Sequence, residues 1–454
     1  MIDNRTLTGL LEEYRRDNDV PGVAVSTFDA GGPRDAVASG LASLEEPDRP
    51  LRPDSMFRIW SVAKALTATL VAALTGDGLL DLDEPVAETL PGFRLRGGAS
   101  SGAVTLRHLL SHQAGFIPDA VSHEGGSRDP AAIEAAATVE PPHTPLVGQP
   151  GQVYSYSNLG FIVAGHVAQV RAGRPFSELW HERLADPLGM DRTTHDPAVA
   201  MTFPLLQHHL GDRDTLRVGH LPWLAAKHGP SSQCWSTVMD MARFGALHLA
   251  DGAGPAGPVA SAPAIHQQRH PHADVRLDVD LRYGLGLYLG PWDGTQARFG
   301  HEGFYEGMWC KLLCVPAAGV GLVWADNRGE ELRDVRYRVI DDILAGLGAT
   351  PAHWRREAGT ADPAGVDGTY ERPASGAGLR LETLAGKLHV HGAGRHVELD
   401  PVAADVWAMP ANDRERPPWR AHAGSRRVSV GAVRDHSGSA ACHVLLNGLP
   451  YRRV

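Results

Sequence analysis

Between residues 61 and 76 the chain carries apolar side chains on nearly every side, in the run Ser61-Val62-Ala63-Lys64-Ala65-Leu66-Thr67-Ala68-Thr69-Leu70-Val71-Ala72-Ala73-Leu74-Thr75-Gly76. Ala and Leu favour helix, and a helix that is apolar all round belongs in a core. The pattern predicts a buried helix that begins near Ser61 and stops near Gly76. Elsewhere the periodicity is more ordinary. Leu7, Leu10, Leu11 and Tyr14 share one face of a helix over 5–17. Residues 23–28 and 36–41 read as two strands joined by a turn at 29–32, and Thr105 caps a short helix that runs to 112. Residues 117–150, rich in Pro, Gly, Ser and His, read as a long irregular segment that lines or covers something. An apolar helix over 162–170 follows Tyr156-Ser157-Asn158, and residues 234–244 look like the start of a capped helix. Residues 283–288 and 299–303 read as paired strands flanking a turn, 309–315 and 319–324 continue an antiparallel sheet, and 332–347 is a closing amphipathic helix.

The pattern changes after residue 348. Pro, Ala, Gly and charge dominate 349–366, as in a linker. From 367 to 454 the chain turns to short alternating segments such as Leu379-Arg380-Leu381-Glu382 and Arg427-Val428-Ser429-Val430, which read as a small all-β domain of the barrel or sandwich kind. The expected organisation is an α+β domain over 1–348, a linker over 349–366 and a β domain over 367–454.

Composition narrows the function classes. The 454 residues leave room for two or three domains, and 43% hydrophobic with 21% charged residues is ordinary for a globular protein. A net charge of −10 without a long basic run argues against nucleic acid or an anionic membrane as partner. The N-terminus has no basic stretch followed by an apolar one, so no signal peptide is expected, and no run reaches the roughly 18 apolar residues of a membrane span. Cys234, Cys310, Cys314 and Cys442 are scattered without metal-ligand spacing, which suggests free thiols in a reducing cytoplasm. His108 and His112 stand at i, i+4, but the glutamate of H-E-x-x-H is missing, so packing or surface positions are expected. His389 and His391 share a strand face that reads as solvated. No metal or other cofactor is called for.

Ser61 and Lys64 bring chemistry into the apolar helix. At i, i+3 they share one face. A buried lysine is costly unless it has partners or loses its proton, and a deprotonated lysine beside a hydroxyl is a general base next to a nucleophile. Alone, the tetrapeptide also fits a serine cap and a lysine that snorkels to water. Two further pieces change the reading: Tyr156-Ser157-Asn158 and His301-Glu302-Gly303. Singly, Tyr156 also reads as a packed aromatic, Asn158 as a turn residue and His301 as a strand surface residue. Together with S-x-x-K they describe one acyl-transfer site.

In order and spacing these motifs resemble the serine β-lactamase / penicillin-binding protein superfamily, of the class C and DD-peptidase kind. Supporting stretches are Val20-Pro21-Gly22-Val23-Ala24, Leu106-Arg107-His108-Leu109-Leu110-Ser111-His112, Pro187-Leu188-Gly189-Met190 and Ser236-Thr237-Val238-Met239-Asp240-Met241-Ala242-Arg243-Phe244. The likeness covers 5–348. The β-rich tail is similar to the lipocalin-like domain of several members. The resemblance implies an α/β sandwich, with an antiparallel sheet flanked by helices, followed by a lipocalin-like barrel.

It also implies roles. Ser61 forms an acyl-enzyme. Lys64, or Tyr156 held as a phenolate by nearby cations, takes its proton, and the sequence leaves both open. The Ser61 and Phe304 amides form an oxyanion hole, beside Gly303. Asn158 holds a substrate amide. His301 stands where a lysine is usual and hydrogen-bonds Tyr156 or a substrate carboxylate, with a charge that depends on pH. Trp60 suggests an apolar mouth, with Trp235 counted among the substrate-binding residues. Arg452 or Arg453 is a further candidate for a carboxylate, against the default of a surface arginine. The size, the H-x-G motif and the tail look like the penicillin-binding-protein-type thioesterases, which take a nonribosomal peptide from its carrier protein and cyclise it head to tail. The acyl residue is then a D-amino acid and the attacking amine the peptide's own N-terminus. No acidic residue stands out as a deacylation base, which favours an amine acceptor over water. The alternative is a D-stereospecific peptidase, amidase or esterase with water as acceptor, and a third reading is a non-catalytic sensor that retains the fold.

Overall fold

The apolar helix spans Ala63–Gly76, entered through a 3₁₀ turn at Trp60–Val62, and every side chain from Ala63 to Leu74 is buried. The computed structural model describes residues 2–97, 101–118, 120–121, 126–211, 214–219, 225–276, 281–290, 298–329, 332–350, 361–373, 375–392, 395–409, 429–434, 440–446 and 449–454. An eight-stranded antiparallel sheet runs in the order Gly32–Gly40, Gly22–Asp29, Val320–Asp326, Met308–Val315, Phe299–Tyr305, Tyr288–Leu289, Arg282–Tyr283, Ala273–Asp274. Its central strands read as near-continuous apolar runs because both faces are covered. On one face lie the Ala63–Gly76 helix, Asn158–Ala172 and Val238–Leu249, whose apolar residues form the largest core cluster. On the other, Leu7, Leu11 and Tyr14 of Asn4–Asp17 and Ile340, Ile343 and Leu344 of Arg333–Gly346 pack on Trp309, Leu322 and Trp324.

That second face is pinned by a buried ion pair. Arg336 Nε and Nη2 donate to Asp326 Oδ2 and Oδ1 at 2.6 and 2.7 Å. Tyr14 OH and Trp324 Nε1 also donate to Asp326 Oδ2, at 3.0 and 2.7 Å. One carboxylate thereby joins both terminal helices to the sheet. Such a pair adds little net stability but is costly to break by halves.

The C-terminal strands close into an eight-stranded antiparallel barrel, from Gly368–Glu371 to Leu449–Arg453, filled by Tyr370, Leu381, Val390, Trp407, Val430 and Val444. The choice between barrel and sandwich is thus settled for the barrel. Residues 351–360 of the expected linker, and 427–428 of one expected strand, lie outside the described residues.

Two local expectations are corrected. Within 117–150 the chain forms a helix, Ala132–His143, driven by Ile133, Ala136 and Ala137 packing into the core; Pro141 and Pro142 sit in its last turn and masked it in the sequence. Residues 283–288 are a tight hairpin rather than one strand: Arg282–Tyr283 turns back to pair with Tyr288–Leu289.

Replacing Asp326 by Ala leaves the Arg336 guanidinium buried against an emptied site. The expected loss is about 3–5 kcal/mol in urea or guanidinium unfolding, and the double change Asp326→Leu with Arg336→Met recovers most of it.

Candidate active site

Ser61 sits in the 3₁₀ turn and Lys64 in the first turn of the helix behind it, which places Nζ 3.1 Å from Ser61 Oγ. Lys64 is fully buried. Its Nζ donates to Asn158 Oδ1 at 2.7 Å and to the Ser231 carbonyl at 2.9 Å. Both of those oxygens only accept, so they take two N–H groups. A neutral amine then keeps its lone pair for the Ser61 hydroxyl, whereas an ammonium has none to offer. Burial pushes the Lys64 pKa well below its usual 10.5, so the surroundings favour the neutral amine.

Tyr156, Ser157 and Asn158 straddle a loop-to-helix junction. Ser157 is the cap, its Oγ accepting from the Gly160 amide, and Asn158 is the first residue of Asn158–Ala172. Tyr156 hydrogen-bonds Ser61. Its ring rests on His112 with centroids 4.2 Å apart, and Lys64 Nζ lies 4.8 Å from the ring centroid. Burial raises the Tyr156 pKa above 10, with the Ser61 hydrogen bond working the other way, so the phenol is neutral at neutral pH. The geometry therefore favours Lys64 over a Tyr156 phenolate as the proton acceptor.

His301 differs from expectation. Its Nδ1 donates to the Glu302 carbonyl at 2.7 Å, which leaves Nε2 to accept from Tyr283 OH at 3.1 Å. The partner is thus Tyr283, delivered by the hairpin that the sequence reading took for a single strand. The Tyr156 ring stands 6.3 Å away, centroid to centroid. Burial, reinforced by Lys64, brings the His301 pKa down to about 3, so its charge does not change near neutral pH.

Two glycines allow these pieces to meet. A Cβ on Gly303 would lie 2.2 Å from the Ile59 carbonyl oxygen and 2.9 Å from Trp60 Cβ, so only glycine lets the His301 strand touch the Ser61 turn. Gly286, at φ +71°, brings the hairpin turn against the Lys64 carbonyl, 2.6 Å from where its Cβ would stand.

Other expected residues stand elsewhere. The Phe304 ring lies 5.3 Å from the Arg333 guanidinium on the other face of the sheet, so only its backbone can serve the site. Trp60 and Trp235 present no open apolar mouth: both are buried, with the Arg58 guanidinium over both rings, at 4.6 and 4.4 Å from their centroids. Arg453 is taken up by the barrel, donating to the Gly365, Ala441 and Asp367 carbonyls, and Arg452 stands exposed opposite His443. His108 completes a capping box with Thr105, and His112 is buried beneath Tyr156 with its Nδ1 accepting from the Ser157 amide at 3.0 Å. His389 is buried rather than solvated, hydrogen-bonded to His396 at 2.9 Å, while His391 stacks on His396. Among the described residues no cluster has the makings of a metal site.

Sequence reasoning missed Ser231, Tyr283, Arg58 and Tyr288, whose ring lies 4.9 Å from that of His301, centroid to centroid. A backbone carbonyl such as that of Ser231 leaves no mark in a sequence. The two tyrosines that close the segment 283–288 were a usable signal, as was a lone arginine in the apolar run Phe57-Arg58-Ile59-Trp60.

A hydroxyl, a buried amine and a neutral phenol on this scaffold define a serine acyl-enzyme hydrolase or transferase. The Beta-lactamase family model matches residues 7–346, and the chain belongs to that family, within the β-lactamase / penicillin-binding protein superfamily. It is 32% identical over 380 residues to Penicillin-binding protein 4 of Amycolatopsis lactamdurans, covering 80% of this chain and 96% of that one. Among solved structures it matches SurE with a TM-score of 0.76 at 24% identity, and SurE with D-Leu with a TM-score of 0.74 at 23% identity. Each match covers 99% of both chains, so the likeness of fold includes the C-terminal barrel.

On the reading that neutral Lys64 takes the Ser61 proton, kcat/KM is expected to rise with pH along an acid limb whose midpoint lies well below 10.5. His301 adds no limb between pH 5 and 8, since it is already neutral there; an inflection near 6.5 that disappears in His301→Gln would contradict this. Gly303→Ala forces the Ser61 turn and the His301 strand apart, and a roughly 100-fold fall in kcat/KM is expected from a displacement of that size, read in steady-state kinetics on protein shown to be folded.

Proposed function

We propose that the protein is a penicillin-binding-protein-type thioesterase that releases a nonribosomal peptide by head-to-tail cyclisation through acyl-Ser61. Ser61 Oγ attacks the thioester carbonyl as its proton passes to Lys64 Nζ, 3.1 Å away. The Ser61 and Phe304 amides receive the oxyanion, each such donor being worth about 3 kcal/mol. The C–S bond breaks, and the departing thiolate is protonated from Lys64 or through the neutral Tyr156 phenol. In the second half the peptide's own N-terminal amine attacks the ester, gives up a proton to the same pair, and returns Ser61 as a hydroxyl. Asn158 holds Lys64 and borders the substrate amide.

The observation that carries this reading is the neutral His301. Its two ring nitrogens are engaged and its pKa lies near 3, so it offers no cation to a carboxylate beside the scissile bond, which disfavours a β-lactam drug as the substrate. A carrier-bound thioester needs no such cation. The likeness to SurE over the full chain, and the D-Leu in one SurE structure, support a D-residue at the acyl position. The four free thiols suit a reducing cytoplasm, and among the described residues no helix is long and apolar enough to cross a membrane. The partner proposed is a peptide on a carrier protein, with neither nucleic acid nor membrane involved.

The test is a synthetic linear peptide thioester ending in a D-residue, with its L-epimer as control. Cyclic product from the D-form alone, abolished by Ser61→Ala, is the expected result. Free acid alone would replace the cyclase by a D-stereospecific hydrolase. A serine-reactive fluorophosphonate followed by intact mass checks the nucleophile, and an unlabelled Ser61 would point to a sensor.

A further inference from the structure

Four side chains pack together beside the Ser61 turn. The Tyr305 and Trp60 ring centroids are 4.9 Å apart, and the Arg58 guanidinium carbon lies 4.6 Å from the Trp60 ring and 4.4 Å from the Trp235 ring. The four residues come from three segments of the chain. Tyr305 ends the strand Phe299–Tyr305 that carries His301 and Phe304. Trp60 immediately precedes Ser61. Arg58 and Trp235 are partners in a two-stranded sheet, and Trp235 continues the segment whose Ser231 carbonyl holds Lys64.

The stack has something to hold. Trp60 adopts φ +47°, a left-handed conformation that a bulky side chain keeps only where its surroundings impose it. Trp60 and Arg58 are each 2% exposed. A guanidinium is flat and can lie against an aromatic ring on both faces at once, whereas a lysine ammonium is a point charge that serves one ring. Burial lowers the Arg58 pKa only to about 10, so the cation persists at neutral pH.

We propose that Arg58 is a positioning residue: packed against both Trp60 and Trp235, it locks the left-handed turn at Trp60 and so aims Ser61 Oγ at Lys64 and at the incoming acyl carbon. The proposal rests on the acyl-serine reading. It ties the oxyanion strand, the nucleophile and the Lys64 anchor into one rigid unit through a residue that need not touch substrate.

Arg58→Lys, Arg58→Met, Trp235→Phe and Trp235→Leu test it, with kcat, KM and the rate of fluorophosphonate labelling measured on protein shown to be folded by circular dichroism. Arg58→Met is expected to lower kcat about 10–100-fold with KM within about twofold, and to slow labelling in proportion. Arg58→Lys falls between it and the wild type, and Trp235→Phe stays nearer the wild type than Trp235→Leu. Folded Arg58→Met with kcat and labelling within about twofold of the wild type overturns the proposal. A rise in KM at unchanged kcat also overturns it, making Arg58 a substrate contact instead. If Arg58→Met does not fold, equal kcat in the two Trp235 variants overturns it. A wild-type protein that resists labelling would sink the acyl-serine reading itself, and is thereby distinguished from failure of the clamp.

Discussion

An amine with no solvent exposure at the head of an apolar helix is the constraint on which the site depends. Lys64 cannot remain an ammonium there cheaply, because in place of water it meets two carbonyl oxygens, a hydroxyl and the faces of Tyr156 and Phe161. The three oxygen partners are 94, 167 and 3 residues away in the chain. The fold must therefore bring the Asn158 helix and the Ser231 loop onto one nitrogen before the helix Ala63–Gly76 can be buried at all. The helix is otherwise apolar save for threonines such as Thr67 and Thr69, which are buried and hydrogen-bonded within the fold, so water that would restore the usual lysine pKa is kept out. Burial in the core and activation of the nucleophile are one requirement.

The rest of the pocket follows the same logic of neutrality. His301 is satisfied by a carbonyl and a phenol, Tyr154 and Tyr288 lie hydroxyl to hydroxyl at 3.4 Å, and His112 supports Tyr156 from below. Buried tyrosines with raised pKa values stay protonated, and the buried histidines stay neutral. The site works with hydrogen bonds and dipoles in a dry, aromatic surround, where each counts for more than it would in water. Charge is kept one layer back: Glu302, Arg333, Lys311 and Tyr337 form a network across the sheet from His301.

What could be read in the chain, and what could not, divides along physical lines. The Ala63–Gly76 helix, the Thr105 cap and the strands on either side of Gly319 were legible because local pattern and burial agree there, whereas the helix Asn158–Ala172 was read only over 162–170 and its start at the Ser157 cap was missed. The three motifs announced Ser61, Lys64, Tyr156 and His301. The helix at Ala132–His143 was hidden by a proline pair at its end. The partners of His301 and Lys64 were hidden for a deeper reason: Tyr283 depends on a hairpin two residues long on each side, and Ser231 contributes only backbone. The roles assigned to Trp60 and Trp235 failed because an apolar side chain near a nucleophile looks the same in sequence whether it faces substrate or a neighbouring guanidinium.

The tyrosines and the nucleophile owe their places to different parts of the molecule. Ser61 and Lys64 are set by the core of the first domain. The segments leading to the tyrosines are also held by the barrel. His443 Nε2 meets the Val147 carbonyl at 2.5 Å, Gln152 Nε2 donates to Cys442 Sγ at 3.6 Å, and Val147 and Val153 pack on Val433 and Leu445. Four residues after Gln152 comes Tyr156. On the other side, Arg276 donates to the Ala432 carbonyl at 2.6 Å, just beyond the strand Ala273–Asp274 that pairs with Arg282–Tyr283. The barrel thus contacts the segment that leads to Tyr156 and the end of the strand that pairs with Arg282–Tyr283. A tail that contributes no side chain to the Ser61–Lys64 pair still bears on the geometry of proton transfer, because it fixes the backbone on which the phenol hydrogen-bonded to Ser61 is mounted.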